Sequence, residues 1–250
     1  MLTREERRTV ADIGLLVHAG WEREFPGLVA GITVAPDDYG LSSETPARRV
    51  AERFEALMLA LGCRASVVGR QIHGPGVAVV DPSPGSGVCI AGEVDGLASD
   101  RPGVLLTVTT ADCVPVYIVD PDSRALALLH AGWRGAAAGV VGEGIRALGA
   151  LNGVTSSDLR VHLGPAICGA CYEVGPEVLR EFGHPGTDSG RFDLRAWLME
   201  ETVRLGVPGD AISTSGWCTR CSADVLHSHR ATRGTAGRMA AFLGWRVRGD

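Results

Sequence analysis

Three short segments of the sequence each place a potential metal ligand beside a glycine or at the end of an apolar run. The segments read QIHG, ADCVP and LHAGWRG, and their metal-binding side chains are His73, Cys113 and His130. Two imidazoles and one thiolate are a ligand set that leaves Zn²⁺ a fourth position for water or substrate, as in catalytic zinc sites. Their spacings of forty and seventeen residues match no local zinc signature. The alternative is that each residue is an ordinary core or turn residue.

Two CxxC pairs form a second set of potential ligands, Cys168 with Cys171 and Cys218 with Cys221. Four thiolates in paired form make a structural zinc site when the two pairs meet in space. The gap of forty-six residues between the pairs is longer than in compact zinc ribbons. A disulfide link, or thiols that are simply buried or free, are the alternatives.

The composition is that of a soluble globular protein. The chain has 250 residues, of which 45% are hydrophobic and 21% charged, enough for one well-buried core. We therefore expect a single domain over residues 1–250. The net charge of −5 at pH 7 gives no electrostatic basis for binding nucleic acid, and no basic run indicates a membrane surface. No uncharged apolar stretch is long enough for a membrane helix.

The amino-terminal segment, MLTREERRTVADIGLLVHAG, opens with a charged, helix-like run rather than the basic and apolar regions of a secretory signal. Seven cysteines are an odd number, in a chain too long to need disulfide staples. We therefore expect a cytoplasmic protein that acts on a small molecule, as a monomer or a small homo-oligomer.

Hydrophobic periodicity and turn residues predict a mixture of helices and strands. Helices are predicted over 45–61, with Gly62 as the stop, and over 135–150, 175–182, 193–206 and 235–243. Strands are predicted over 65–70, over 104–120 as one or two strands, over 124–130 after a hairpin turn at 120–123, and over 159–163, whereas 81–87 is a predicted loop. Because some strands are joined by turns rather than helices, we expect a layered α/β domain whose sheet is not purely parallel.

Five motifs, in this order, resemble one protein family. They are QIHG, TADCVPV, HAGWRG, GPAICGACYEVG and the late CT pair, which together span residues 73–238, about two-thirds of the chain. The family is variously named laccase-domain proteins, multicopper polyphenol oxidases and purine nucleoside phosphorylases of the YfiH type. HAGWRG together with TADCVPV is highly specific for it. The resemblance implies a layered α/β/β/α sandwich with mixed sheets.

The same resemblance implies a zinc enzyme. It implies that His73, Cys113 and His130 bind zinc, and that the protein carries out phosphorolysis of purine nucleosides, including methylthioadenosine, with adenosine deamination as a second activity. Deamination needs a zinc-bound water as nucleophile, whereas phosphorolysis needs phosphate held at the anomeric carbon among cations. Arg134 and Arg230 are the candidate cations. Gln71, from the QIHG motif, completes the expected substrate-binding set; all of these residues are expectations from the motifs.

Two aspartates join Cys113 as candidate catalytic residues. We expect Asp112 to orient a ligating histidine or to pair with Arg134. The alternative is that it caps the turn before Pro115. Asp95, in VDGL, resembles a DGL segment of the family and is a candidate for handling substrate or a proton, the alternative being an ordinary turn aspartate.

The chain departs from the family pattern at both ends. A glycine-rich arm and a helix with Asn-Arg are usual in the family, but here the arm reads LVAGITVAPDDYGLSS and the helix has Arg53 after a glutamate. Where the family has Phe-Ser-Tyr-Arg-Arg and then Thr-Gly-Arg, this chain has His227, Ser, His229, Arg230 and Ala, and then Ala-Gly-Arg238. One arginine and two aromatic rings of the family pattern are missing. The motifs therefore specify the substrate less well than they specify the metal.

Two other functions fit parts of the sequence. A copper-dependent polyphenol oxidase needs many histidines, usually in His-X-His pairs, and this chain has seven histidines with one such pair. Copper would nevertheless bind the expected zinc ligands tightly. A non-catalytic zinc or redox module, built on the two CxxC pairs, is the third possibility.

Overall fold

The computed structural model of the protein describes residues 2–3, 5–41, 46–80, 85–185 and 188–247. Its strands are β1 Leu2–Thr3, β2 Glu6–Val10, β3 Ile13–Val17, β4 Leu28–Thr33, β5 Ala65–Val68, β6 Val77–Val79, β7 Gly87–Ile90, β8 Gly96–Ser99, β9 Val104–Thr110, β10 Val114–Val119, β11 Leu126–Ala131, β12 Arg160–Leu163, β13 Glu173–Val174, β14 Gly190–Arg191, β15 Ile212–Ser215 and β16 Met239–Trp245. Its helices are α1 Ala19–Glu24, α2 Ala47–Ala60, α3 Trp133–Ala137, α4 Val140–Asn152, α5 Pro176–Glu181 and α6 Leu194–Arg204.

The strands form two seven-stranded sheets and a short β13–β14 ribbon. The first sheet has the order β1-β15-β12-β10-β11-β8-β6, and the second has the order β2-β3-β4-β16-β9-β5-β7. Both are mixed. In the first, β10 is antiparallel to β11 and β12 while β12 is parallel to β15. In the second, β9 is antiparallel to β16 and parallel to β5. The expectation of sheets that are not purely parallel is confirmed.

Alternating side chains along the central strands build three apolar layers. On β10, Val116 and Ile118 pack towards the helices outside the first sheet, whereas Tyr117 and Val119 pack between the two sheets. On the second sheet, Leu105 of β9 packs towards α2. The order of layers is therefore helices, first sheet, second sheet and helix α2, which is the α/β/β/α sandwich that the family resemblance implies. Burial on both faces explains why these strands are almost continuously apolar.

Most predicted elements form close to their expected positions. The predicted helix 45–61 forms as α2, although its first residue lies outside the described residues, and Gly62 follows it with a φ of +73°. The predicted hairpin forms as β10–β11, with the turn fixed by Asp120, whose carboxylate accepts the backbone N–H of Asp122 at 3.1 Å. Part of the predicted loop 81–87, residues 81–84, is outside the described ranges. The predicted helix 135–150 is divided into α3 and α4 at Gly139, where φ is +85°.

Two predictions of helical structure are wrong. The segment 235–243, read as a helix, instead enters β16, and this strand lies between β4 and β9 in the second sheet. Its alanines, Met239 and Leu243 favour a helix locally, but burial on both faces of a sheet overrides that preference. The helix-like amino-terminal run is a hairpin of β2 and β3, which turns at Ala11 and Asp12, both with positive φ. None of the described helices combines the length and apolar character needed to span a membrane.

Candidate active site

The three candidate ligands lie together where the chain crosses from the second sheet to the first. Cys113 lies in the link between β9 and β10, His130 lies in β11, and His73 lies in the loop after β5. Their ligand atoms are all within 4.8 Å of one another. The two imidazoles meet edge to face, with ring centroids 4.9 Å apart. The charge and thiol that interrupt the strand-like sequence at Asp112 and Cys113 thus mark the crossover between the sheets.

The carboxylate of Asp95 organises both histidines and is fully buried. One oxygen accepts the Nδ1–H of His130 at 2.8 Å and the backbone N–H of His73 at 2.9 Å. The other accepts the backbone N–H groups of Ile72 at 3.0 Å and Gly74 at 2.8 Å. Burial opposes ionisation, but these donors lower the pKa of Asp95. Because the Nδ1–H group of His130 is hydrogen-bonded to Asp95, Nε2 is the ring nitrogen that remains available as the ligand atom.

Close packing also shapes the ligand set. His73 has a φ of +60°, a conformation that its hydrogen bonds to Asp95 hold in place. A Cβ atom at Gly132 would lie 3.0 Å from Cδ2 of His73 and 3.1 Å from Sγ of Cys113. A side chain at Gly132, the first glycine of the HAGWRG motif, would therefore press on the two ligands that pack against it.

Electrostatics couple Cys113 to His130. Burial opposes charge on the thiol, yet His130 and His73 lower the pKa of Cys113 to about 6. Burial also opposes charge on the imidazole, but the Cys113 thiolate and Asp95 raise the pKa of His130 to about 9. Two imidazole nitrogens and a thiolate sulfur are donors that suit zinc or copper, and a bound cation takes the place of the His130 proton. The group can hold a metal ion.

Asp112 has partners other than those expected. Its carboxylate accepts the hydroxyl of Thr219 at 2.5 Å and the backbone N–H of Arg230 at 2.7 Å. Among the described residues it bonds to neither a ligating histidine nor Arg134, so the orienting carboxylate is Asp95 and not Asp112. Asp112 instead joins the sheet crossover to two late segments of the chain.

Gln71 is bonded to the strand beside it. Its amide oxygen accepts the backbone N–H of Thr109 at 2.7 Å and the hydroxyl of the same residue at 3.0 Å, and its amide nitrogen donates to the carbonyl of Thr109 at 2.7 Å. This reciprocal pairing fixes the loop of His73 to the end of β9. The side chain expected to bind substrate therefore positions a ligand in the structure described.

A cavity of about 780 Å³ opens over the three ligands. Its wall includes Gln71, residues 109–111, His229 and residues 234–238. Two arginines also line it, Arg70 and Arg238. Neither arginine was predicted to bind substrate. Their positions gave a signal, however, because Arg70 directly precedes the QIHG motif and Arg238 ends the AGR segment. A cavity of this size accommodates a nucleoside-sized ligand.

The two arginines predicted to bind substrate stack on aromatic rings instead, Arg134 on Trp133 and Arg230 on Tyr172. The exposed guanidinium of Arg134 stacks over the ring of Trp133, 4.2 Å from its centroid. The guanidinium of Arg230 donates to the carbonyl of Glu173 at 2.6 Å and lies 5.4 Å from the Tyr172 ring centroid. Among the residues described, neither Arg134 nor Arg230 belongs to the wall of the cavity above the ligands.

The two histidines that stand where the family has aromatic rings differ in their surroundings. His229 lines the cavity, whereas Nε2 of His227 donates to the carbonyl of Asp37 at 3.0 Å. Arg53 lies in the helix where the family usually has Asn-Arg, and its guanidinium donates to the carbonyl of Asp38. Hence His229 can contact a ligand, while His227 and Arg53 hold the loop 37–38 at the rim.

Comparison with known proteins agrees with this geometry. The family model for "multi-copper polyphenol oxidoreductase laccase" matches residues 35–246. A relative from Geobacillus stearothermophilus, the purine nucleoside phosphorylase YlmD, is 36% identical over 93% of this chain and 89% of its own length. The crystal structure of YlmD from that species superposes with a TM-score of 0.84 at 29% identity, over 97% of this chain and all of that one.

A second relative has a different name. Adenosine deaminase RL5, from an unknown prokaryotic organism, is 33% identical over 73% of this chain and 76% of its own length. The family model covers far more than half of the chain, and the two relatives exceed 30% identity across most of it. The chain belongs to the multi-copper polyphenol oxidoreductase laccase family.

Proposed function

We propose that the protein is a zinc-dependent purine nucleoside phosphorylase. The observation that carries this proposal is the position of His73, Cys113 and His130 at the base of a cavity that also contains Arg70 and Arg238. A three-ligand metal leaves one coordination position free, and the arginines provide positive charge for an anion beside it. The name of YlmD supports phosphorolysis as the reaction.

The donor set fits zinc. Two nitrogens and one sulfur meet within 4.8 Å, Asp95 fixes the tautomer of His130, and the thiol of Cys113 is readily ionised. When bound there, zinc supplies a Lewis acid that polarises an oxygen of phosphate or of the substrate. Cys113 acts in this proposal as a ligand, and Asp95 as a positioning residue for the two histidines.

The remaining residues bind and orient the substrates. Phosphate forms a bond from one oxygen to the anomeric carbon, while the bond to the base breaks and its electron pair leaves with the base, which takes up a proton. Arg70 and Arg238 lie where they can hold that phosphate, and His229 lies where it can pack on the base. Gln71 lines the same cavity and holds the loop of His73, whereas Arg134 and Arg230 lie outside the cavity wall and stay candidate cations on the strength of their motifs alone. Asp112 acts by holding the segment of Arg230.

The test is to incubate metal-analysed protein with adenosine, inosine, guanosine and methylthioadenosine, each with and without phosphate. We expect free base and the sugar 1-phosphate only when phosphate is present. The Cys113→Ala variant should give neither product, whereas Cys89→Ala, at a half-buried cysteine outside both metal-ligand groups, should match the wild type. Absence of base and sugar phosphate with every nucleoside would contradict the proposal.

Deamination of adenosine is the second candidate activity, because a relative bears the name adenosine deaminase. A metal held by His73, Cys113 and His130 would supply the Lewis acid that hydrolysis at the purine ring requires. Formation of inosine from adenosine without phosphate would identify this activity. Copper oxidase chemistry is less well supported, since the two metal-ligand groups among the described residues contain only two histidines.

The rest of the proposal concerns the whole chain. We propose that residues 1–250 act as one domain on small molecules, in the cytoplasm, where nucleosides and phosphate are both available. Zinc is the resident metal, and copper is an alternative occupant of the same ligands because it binds nitrogen and sulfur donors more tightly.

A further inference from the structure

The two CxxC pairs meet in space, although forty-six residues separate them in the sequence. The four Sγ atoms of Cys168, Cys171, Cys218 and Cys221 all lie within 4.8 Å of one another, and we call them the four-cysteine cluster. Sγ of Cys171 and Sγ of Cys221 are 3.5 Å apart. None of these residues belongs to the group of His73, Cys113 and His130.

Sheet topology brings the pairs together. Strands β12 and β15 are parallel neighbours in the first sheet, so the chain leaves both at the same edge. The first pair follows β12 and the second follows β15, and a single bridge between Ala166 and Cys218 extends the strand pairing up to the cluster. The meeting of the thiols is therefore built into the register of two core strands.

The backbone around the cluster is arranged as in metal-binding cysteine turns. The sulfur of Cys218 accepts the backbone N–H of Cys168 at 3.3 Å and that of Cys221 at 3.5 Å. In the first turn, the N–H of Cys171 donates to the carbonyl of Cys168 at 2.9 Å. Amide donors directed at a sulfur stabilise its thiolate form, which is the form that binds metal.

The spacing of the sulfurs matches zinc better than a disulfide. A Zn–S bond of about 2.3 Å in tetrahedral geometry puts neighbouring sulfurs about 3.8 Å apart. The Cys171–Cys221 pair at 3.5 Å, and an upper limit of 4.8 Å for all four sulfurs, are close to this spacing. A disulfide needs about 2.05 Å and would join only one pair of the four sulfurs. Cys218 is buried and Cys221 exposed, so a metal has a route to the cluster from the surface.

We propose that the four-cysteine cluster binds a second zinc ion in a closed tetrathiolate site. Four protein ligands leave no position for substrate, so this zinc is structural. It joins two turns that support the active site: Thr219, inside the second pair, donates to Asp112, and Tyr172, next to Cys171, lies beneath Arg230. Binding of the ion releases the protons of the four thiols.

Metal stoichiometry tests the site without reference to activity. We expect wild-type protein, purified under reducing conditions with zinc, to contain two zinc ions per chain, and Cys113→Ala to contain one. Cys168→Ser combined with Cys218→Ser should also leave one, whereas Cys89→Ser, a cysteine outside both groups, should retain two. Two zinc ions in the Cys168/Cys218 double variant would overturn the proposal.

A spectroscopic measurement covers the case in which the double variant does not fold. Zinc X-ray absorption of the folded Cys113→Ala protein should show four sulfur neighbours, and cobalt in its place should give intense sulfur-to-metal absorption. The proposal would be overturned if the zinc had nitrogen or oxygen neighbours. It would also be overturned if all four thiols still reacted with a thiol reagent in the presence of zinc, or if protein purified under reducing conditions contained a Cys171–Cys221 disulfide. Failure of the phosphorylase assay alone would leave this result unaffected.

Discussion

His130 donates two hydrogen bonds to Asp95, one through its side chain and one through its backbone. Nδ1–H of His130 donates to the Asp95 carboxylate at 2.8 Å, and the backbone N–H of His130 donates to the Asp95 carbonyl at 2.7 Å. The same carboxylate holds the loop of His73 through three backbone N–H groups. A single buried side chain thereby fixes the positions of two ligands from distant parts of the sequence.

Replacing Asp95 by asparagine should weaken metal binding. The amide has only one accepting oxygen for four donors, and its NH₂ group would face N–H groups of the His73 loop. We expect zinc affinity to fall by about 10- to 100-fold, the usual loss for removal of a group that orients a ligand. Competition with a chromogenic chelator measures it. Asp120→Asn, a buried turn aspartate away from the ligands, is the control, and equal affinities in the two variants would contradict the assignment.

Cys113→Ala should remove the active-site zinc while leaving the fold intact. Cys113 lies in a link between strands, so its loss leaves the pairing of β10 with β11 and β12 unaffected. We expect phosphorolysis to disappear, the metal content to fall by one zinc per chain, and the far-ultraviolet circular dichroism to stay unchanged. Unaltered zinc content in this variant would remove Cys113 from the ligand set.

Lysine substitutions can show whether phosphate binds at Arg70 in the cavity or at Arg134 outside it. Lysine keeps the charge of Arg70 but loses the planar fork that binds two phosphate oxygens, so Arg70→Lys should raise the KM for phosphate about tenfold or more. Arg134→Lys is the matched comparison, since Arg134 is exposed but stacks on Trp133 outside the cavity wall. A larger rise for Arg134 than for Arg70 would place phosphate at Arg134, as the sequence motif predicted.

Local signals in the sequence were sufficient to predict a mixed α/β fold and to select three candidate metal ligands, while the layered sandwich was implied by the family resemblance. His73, Cys113 and His130 each lie in a short, specific motif, and strands such as β10 have apolar residues on both faces. The proximity of the three ligands, by contrast, was inferred only from resemblance. Their spacing along the chain carries no such information, because the crossover between two sheets brings them together.

Contacts that depend on strand register could not be predicted. Asp95 meets His130 because β8 and β11 pair with Gly96 opposite Leu129, and nothing in the local sequence specifies that register. The same holds for Asp112, whose partners Thr219 and Arg230 come from segments more than one hundred residues away. Only the expected partner of Asp112 was wrong: Asp112 is next to Cys113 in the sequence, but its carboxylate bonds to Thr219 and Arg230.

Burial of His18, a residue outside the candidate metal-ligand groups, is expected to make the stability of the protein depend on pH. His18 is 5% exposed, accepts the backbone N–H of Trp21 through Nδ1 at 3.0 Å, and contacts the ring of His162 with centroids 4.5 Å apart. Its Nε2 has no hydrogen-bond partner among the described residues. Burial, and then repulsion from His162, lower the pKa of His18 to about 4.

His18→Asn should therefore reduce the loss of stability in mild acid. An unfolded histidine takes up a proton near its ordinary pKa of about 6.5, but folded His18 stays neutral down to about pH 4. The contribution of neutral His18 to the free energy of unfolding is fully present above about pH 6.5. It is lost as the pH falls towards 4, at up to about 1.4 kcal/mol per pH unit. Asparagine keeps the helix-capping acceptor for Trp21 without titrating, so urea unfolding between about pH 4.5 and 7.5 should show a shallower slope than in wild type. His184→Asn, at an exposed position, is the control, and a variant slope equal to the wild-type slope would show that His18 carries no part of the pH dependence.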